Sequence, residues 1–139
     1  MTELEIAFRN ICDTINGKLA DKSKDFKFLV YPLLFRGEEN SVTTKTIMQA
    51  LNMSERNVVL QVRKEREHGA LICNKQKDDG GYFIPKTLNE LKRFYDTFNT
   101  RNKLSYLSIS VPYTIVKKCD NQELFEQIVD MLESQMKRD

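Results

Sequence analysis

Hydrophobic residues recur at helical spacing near the start of the chain. Between Leu4 and Leu19, about every third or fourth residue is apolar. Thr2 and Glu5 form a capping box ahead of this stripe, because a threonine followed three residues later by glutamate can satisfy the first free N–H groups of a helix. The pattern predicts a helix from about Glu3 to Ile15 or beyond, with Gly17 as a possible end.

Two further helices are predicted in the second half of the chain. The stripe that begins with Leu88 and Leu91 predicts a helix from Thr87 to about Asn102. Asp120 or Asn121 can cap a last helix. That helix reaches about Lys137 and has a broad apolar face, made of Leu124, Phe125, Ile128, Val129, Leu132 and Met136.

One apolar stretch contains a proline, and another is followed directly by one. Phe26–Phe35 is almost wholly apolar and predicts a buried first helix of a central domain, kinked or broken at Pro32. In Leu107–Val111, apolar residues alternate with serines, which favours a short strand or an extended linker that Pro112 ends.

The stretch Ser41–Ile84 predicts a more specific arrangement. A short apolar step at Ser41–Val42 precedes a helix, a three-residue turn and a second helix, after which a two-stranded hairpin follows. Asn52 suits the left-handed turn conformation, Ser54 is a strong N-cap, and Gly69 is a typical residue just beyond a helix end. The elements are Thr43–Leu51, Asn52–Ser54, Glu55–His68, Ala70–Asn74, the tip Lys75–Gly81, and Tyr82–Ile84.

The second helix of this stretch has two different sides. At 100° per residue, Val58 and Val62 point to one side with Glu65 near them, whereas Val59 lies at the flank, where it can pack under the hairpin. The opposite side carries three cations, one amide and one leucine: Arg56, Asn57, Leu60, Arg63 and Lys64. Arginine can pair with guanine and asparagine with adenine in a major groove.

Leu60 departs from a purely polar reading face, since it can contact a thymine methyl group or equally anchor a protein partner. Tyr82 and Phe83 can stack on bases, although one of the two must face the core of any hairpin strand. His68 is expected to interact with the carbonyl groups at the end of its helix.

These residues also carry a resemblance. Arg36–Ile47 with Asn52–Val58 resembles the start of small winged helix domains common in phages and mobile elements, and Val62–Cys73 with Gly80–Phe83 resembles their recognition-helix end and wing. The resemblance covers roughly the middle third of the chain. It implies a winged helix-turn-helix, a fold that serves repressors, replication factors and adaptors alike.

Charge is unevenly distributed along the 139 residues, although the net charge is only +2. The stretch Ser41–Lys86 has eight Lys/Arg against five Asp/Glu, and Thr87–Lys118 has six against two. Cys119–Asp139 has two against six. The middle of the chain therefore suits a phosphate backbone, whereas the acidic end would be repelled by it.

Several classes of function are disfavoured. Cys12, Cys73 and Cys119 are far apart and odd in number, which indicates reduced, mostly buried thiols rather than disulfides. One histidine, His68, and no Cys-x-x-Cys pair argue against a metal site, and no cofactor or catalytic motif occurs, so we expect no enzyme. The sequence has no long apolar stretch and no basic leader. We therefore expect a cytoplasmic protein that does not bind a membrane.

The predicted fold class is α+β and mostly helical, with a winged helix-turn-helix core between flanking helices. The segments are 1–25 for the N-terminal helix and connector, 26–86 for the winged domain and 87–139 for a C-terminal helical extension. The predicted function is sequence-specific binding of double-stranded DNA, in transcription regulation or at a replication origin. The expected DNA contacts are Thr44, Lys45, Arg56, Asn57, Leu60, Arg63, Lys64, Lys75 and Lys77.

Two other possibilities stay open. The chain can instead be an adaptor or inhibitor of phage type, in which the winged helix surface binds a host or phage protein. The apolar face of the last helix suggests a homodimer, which would align two reading helices with two half-sites. The alternative is that this helix folds back on its own domain, against the Leu4–Leu19 stripe.

Overall fold

Six α-helices and one two-stranded antiparallel sheet are present in the computed structural model, which describes residues 1–18, 26–75, 80–100 and 106–136. The chain is mostly helical with a small sheet, in agreement with the predicted α+β class. The elements in order are α1 Glu3–Lys18, α2 Thr44–Leu51, α3 Glu55–Glu67, β1 Cys73–Asn74, β2 Tyr82–Phe83, α4 Leu88–Thr100, α5 Tyr106–Lys118 and α6 Gln122–Met136.

Side-chain caps begin most of these helices where the sequence predicts them. The N–H of Glu5 donates to Thr2 Oγ1, and the hydroxyl oxygens of Thr43 and Ser54 accept from the backbone at the starts of α2 and α3. Asn121 Oδ1 accepts from the N–H of Leu124 at 2.8 Å. Local sequence therefore determines where these helices start.

The turn between α2 and α3 and the end of α3 also follow the sequence. Asn52 adopts the left-handed conformation, with φ 52° and ψ 50°. At the end of α3 the N–H of Gly69 donates to Arg66 O and the N–H of Ala70 donates to Glu65 O. Gly69 has a φ of +103°, so α3 ends in a Schellman motif with glycine in the left-handed position.

The sheet is larger than its two strands suggest. In β1 and β2, Cys73 pairs with Phe83, and Asn74 pairs with Tyr82. On the other side of β2, Tyr82 exchanges two backbone hydrogen bonds of 2.9 Å with Val42. The strand after the hairpin tip is therefore paired on both sides, which holds the hairpin beside the start of α2.

Gly81 is required at this junction. A Cβ atom there would lie 2.5 Å from Val42 O, and its φ of +115° is one that other residues rarely adopt. Residues 76–79 of the predicted tip lie outside the described residues.

One hydrophobic core joins the three predicted segments. α5 packs against α1, α3 and α4, while α6 packs against α1. Ile15 of α1, Val62 of α3 and Ile115 of α5 all belong to the same buried cluster. The inner side of α3 is thus covered by α5.

The predicted helix at Phe26–Phe35 is wrong. Only Tyr31–Leu33 forms a short 3-10 turn, with Pro32 at its start, and Phe35 is 64% exposed. The backbone finds its hydrogen bonds elsewhere, because the buried carboxylate of Glu65 accepts the N–H groups of this segment. A helix is therefore not needed to satisfy them.

The Glu65 carboxylate accepts four hydrogen bonds of ordinary length. Glu65 Oε2 accepts from the N–H groups of Leu29 and Val30 at 3.0 and 2.8 Å, and Oε1 accepts from Tyr31 at 2.8 Å. Gln61 Nε2 donates to the same carboxylate at 2.8 Å. The Glu65 residue is 0% exposed.

A second buried carboxylate has a similar role. Glu90 in α4 accepts from the N–H of Glu38 at 3.0 Å and from the N–H of Lys86 at 2.7 Å. It also accepts from the N–H of Thr87, whose hydroxyl caps α4. Glu90 therefore ties the segment before α2 to the segment before α4.

The predicted strand or linker at Leu107–Val111 is also wrong, because Pro112 lies inside α5 rather than ending an element. Ser110, Val111, Thr114 and Ile115 are buried at helical spacing, and the Thr114 hydroxyl donates to Ser110 O at 2.9 Å. Burial of this side outweighs the roughly 3 kcal/mol that an interior proline costs a helix.

The apolar face of α6 is buried within the chain. All six of its residues named above lie in the core, and α6 contacts α1. The helix folds back on its own domain, so this face does not supply the dimer interface that the sequence suggested. Its acidic side is also used, since Arg36 contacts Asp130 at 2.7 Å and Glu133 at 2.6 Å.

Replacing Glu65 by Gln should lower the free energy of unfolding by about 2–4 kcal/mol, because charge-assisted hydrogen bonds would be lost and an amide NH₂ would face N–H donors. Equilibrium urea unfolding measures the change. Glu67→Gln, on the same helix but near the surface, should change stability by less than about 0.5 kcal/mol. Equal losses in the two variants would contradict the role given to Glu65.

Candidate functional site

The outward side of α3 presents the predicted polar residues to solvent. Arg56, Asn57, Leu60, Arg63 and Lys64 are all exposed. The inward residues Val58, Val62, Glu65 and Arg66 are buried. The two sides predicted from the helical wheel are therefore confirmed, and five of the nine predicted contact residues share one surface, which we call the α3 face.

The α3 face has both apolar and cationic parts. Leu60 is 43% exposed, and Arg56 and Lys64 lie one turn before and one turn after it. Val59 is 51% exposed, so the expectation that it packs under the hairpin is wrong. It lies at the edge of the α3 face, next to Leu60.

One cation of the face is partly neutralised. Arg63 Nε lies 3.6 Å from Glu67 Oε1, one turn further along the helix. The Arg63 side chain is well exposed in this pair, which leaves it able to exchange its partner for a ligand anion. Glu55, at the start of α3, adds a second carboxylate, which is exposed, whereas Glu67 is half-buried. The α3 face is thus only weakly positive.

The remaining predicted contacts are on α2 and the hairpin. Thr44 is the first residue of α2 and is half-buried, whereas Lys45 is exposed. Lys75 is half-buried, and its N–H donates to Gly81 O at 3.0 Å. Lys77 lies outside the described residues. Tyr82 and Phe83 are both buried, so neither offers its ring for base stacking.

Arg66 is a residue whose role the sequence reasoning missed. Its Nε donates to Ile72 O at 2.9 Å, its second nitrogen donates to Asn74 Oδ1, and its guanidinium lies 5.0 Å from the centre of the Phe94 ring. Among the described residues it pairs with no carboxylate. Arg66 therefore joins α3 to β1 and α4 from inside.

The charge of Arg66 is costly where it lies. Burial lowers the pKa of its guanidinium to about 10, which still leaves it protonated at neutral pH. Burial also raises the pKa of the neighbouring Cys73 thiol, which the charge of Arg66 only partly opposes. Cys73 is thus a neutral core residue. A signal for Arg66 existed in the sequence, since on the helical wheel it falls beside Val62 on the buried side.

His68 behaves as expected at the helix end. Its Nδ1 lies 2.8 Å from Lys64 O, and its ring stacks on Phe26 with a centre-to-centre distance of 3.7 Å. The stack holds the segment before Tyr31 against the end of α3.

Other kinds of site find no support in the part of the chain that the structure describes. No group of three or more His, Cys, Asp or Glu side chains there is placed to hold a metal ion. No described helix has the length and apolar character needed to cross a bilayer. Cys12, Cys73 and Cys119 are free thiols.

Comparison of the chain with protein-family models, with curated proteins and with solved structures found no significant match. The interpretation of the α3 face therefore depends on its own geometry and chemistry.

Arg66→Lys should lower the free energy of unfolding by about 1–3 kcal/mol, because an ammonium group cannot reproduce the two-sided contact of the guanidinium. The N–H of Lys75 should exchange with solvent faster, since its bond to Gly81 depends on a docked hairpin. Urea unfolding and amide hydrogen exchange measure both effects. Arg63→Lys, at an exposed position of α3, is the control, and comparable destabilisation by it would contradict this role of Arg66.

Proposed function

We propose that the chain is a sequence-specific double-stranded DNA-binding protein that uses a winged helix-turn-helix, with α3 in the major groove. The observation that carries this proposal is the α3 face. Cationic and amide side chains project from one side of a helix whose other side is fixed to the core by Val58, Val62, Glu65 and Arg66. A helix held in this way can present its outer side to a groove as a rigid unit.

The arrangement of elements supports the same interpretation. α2, a three-residue turn and α3 are followed by the β1–β2 hairpin, and Val42 pairs with β2 as a third extended segment. In winged helix domains such a hairpin is the wing and lies along the DNA backbone. The order of elements fits that fold. In this chain α5, which is distant in sequence, covers the inner side of α3.

Each polar residue among the predicted contacts has a chemical role in this proposal. Arg56 and Asn57, at the start of α3, pair with guanine and adenine edges. Arg63, Lys64 and the hairpin residues Lys75 and Lys77 contact phosphates, as do Thr44 and Lys45 at the start of α2. Regulation of transcription or binding at a replication origin, in a phage or mobile element, is the setting that the resemblance implies.

A second candidate function is favoured by one specific observation. Leu60 at the centre of the α3 face and Val59 at its edge are consecutive in sequence, apolar and exposed. A protein partner would bury such residues, as in an adaptor or inhibitor that binds a host or phage protein. Titration of binding to random duplex DNA against salt separates the two, because phosphate contacts make affinity fall steeply as salt rises.

Arg56→Ala and Asn57→Ala should each weaken binding to the preferred duplex by about 1–3 kcal/mol and broaden the range of sequences bound, because each removes a base contact. Selection from a random duplex pool followed by fluorescence anisotropy measures both. Arg9→Ala, which removes an exposed charge from α1, should leave affinity and preference unchanged. If Arg56→Ala and Asn57→Ala behave like Arg9→Ala, α3 is not the recognition helix.

Glu67→Gln should strengthen binding to all duplexes by a few-fold, about 0.5–1 kcal/mol at low salt, because it releases Arg63 and removes a negative charge near the phosphates. The gain should shrink as salt is raised, which anisotropy titrations at several salt concentrations detect. Glu3→Gln, which makes the same charge change on α1, is the control. An equal gain in both variants would indicate a net-charge effect and not a contact at the α3 face.

A further inference from the structure

The α3 face has one apolar residue at its centre, Leu60, and a second at its edge, Val59. Leu60 and Val59 are 43% and 51% exposed, whereas Val58 and Val62 on the same helix are buried completely or nearly so. The helix therefore already has the apolar residues that its packing requires. Leu60 and Val59 add nothing to the core, and their exposed area is available to a ligand.

Cations lie on both sides of Leu60 and Val59 along the helix, and one of them, Arg63, is paired with Glu67. Arg56 precedes Leu60 by four residues, Lys64 follows it by four, and Arg63 follows Val59 by four. Residues four apart on a helix are neighbours on its surface, about 6 Å apart along its axis. A matching ligand must present small apolar groups between anionic borders.

The major groove of DNA has this chemistry. Phosphates form both walls of the groove, and the C5-methyl group of thymine is the apolar group among the base edges on its floor. The other base edges offer hydrogen-bond donors and acceptors, which the side chains of leucine and valine cannot use.

We propose that Leu60, with Val59 beside it, contacts thymine C5-methyl groups, so that the preferred duplex has thymine opposite the centre of α3. This proposal rests on the proposed DNA-binding function and specifies how the same face reads sequence. Arg56 and Asn57 supply hydrogen bonds at one end of the helix. Leu60 and Val59 supply specificity where hydrogen bonds are absent.

Substitution of deoxyuridine for thymidine tests the proposal, since deoxyuridine lacks only the C5-methyl group. The probe is the duplex selected from a random pool by the wild-type chain, compared with copies that carry deoxyuridine at one position at a time. Loss of a contacted methyl group should weaken binding by about fourfold, the equivalent of about 0.8 kcal/mol per buried CH₂. Leu60→Ala should lose most of the difference in affinity between the thymidine and deoxyuridine duplexes, with the remainder due to Val59.

Matched variants keep the test specific. Ile6 on α1 is an apolar residue of similar exposure, 45%. Ile6→Ala should therefore retain the full dependence of binding on the methyl group. Val59→Ala should reduce the dependence in part. Because Leu60 is outside the core, thermal unfolding of Leu60→Ala should match that of the wild type, which excludes misfolding as the cause of any change.

The outcomes distinguish this proposal from the one it rests on. If the wild-type chain enriches no duplex and shows no salt-dependent binding, the DNA-binding function fails and this proposal fails with it. If binding is sequence-specific and depends on Arg56, but thymidine and deoxyuridine duplexes bind equally, DNA binding stands and the methyl contact is overturned. A deoxyuridine effect of equal size in wild type and Leu60→Ala also overturns it.

Discussion

The carboxylate of Glu65 is buried beneath α3, and backbone N–H groups of Leu29, Val30 and Tyr31 balance its charge together with the amide of Gln61. Burying a charge costs several kcal/mol, and hydrogen bonds to a charged group contribute about 1.5–3 kcal/mol each. Four such bonds are enough to offset the cost. The segment before Tyr31 and the helix that carries the α3 face are consequently held as one unit.

The same physical solution recurs around α3. Glu90 accepts N–H groups from two irregular segments, and Arg66 donates to backbone and side-chain oxygens of the hairpin. In each case one charged side chain on an α-helix satisfies polar groups of a segment that is not α-helical. The chain can therefore keep irregular segments beside its core, and α3 is held by polar contacts as well as by apolar packing.

Sequence reasoning succeeded here where the determinants are local. Thr43, Ser54, Asn52 and Gly69 act within a few residues of their own positions, so the bounds of α2 and α3 and the two sides of α3 could be predicted. It failed at Phe26–Phe35 and at Leu107–Val111, where Glu65 and the buried side of α5 decide the structure from far along the chain. The same limit applies to the site. The cations of the α3 face follow from the helical wheel, whereas the exposure of Val59 and the inward contacts of Arg66 depend on where the hairpin lies.

The inward residues of α3 stabilise the fold and its outward residues are free to bind a ligand, and this separation has an evolutionary consequence. The inward residues are committed to the fold, whereas Arg56, Leu60 and Lys64 are exposed and contribute nothing to the core. Substitutions at those three positions are close to neutral for stability, so mutation can explore them freely. Descendants of this chain can acquire new ligands while keeping the same scaffold, and divergence among them should concentrate on one stripe of a single helix.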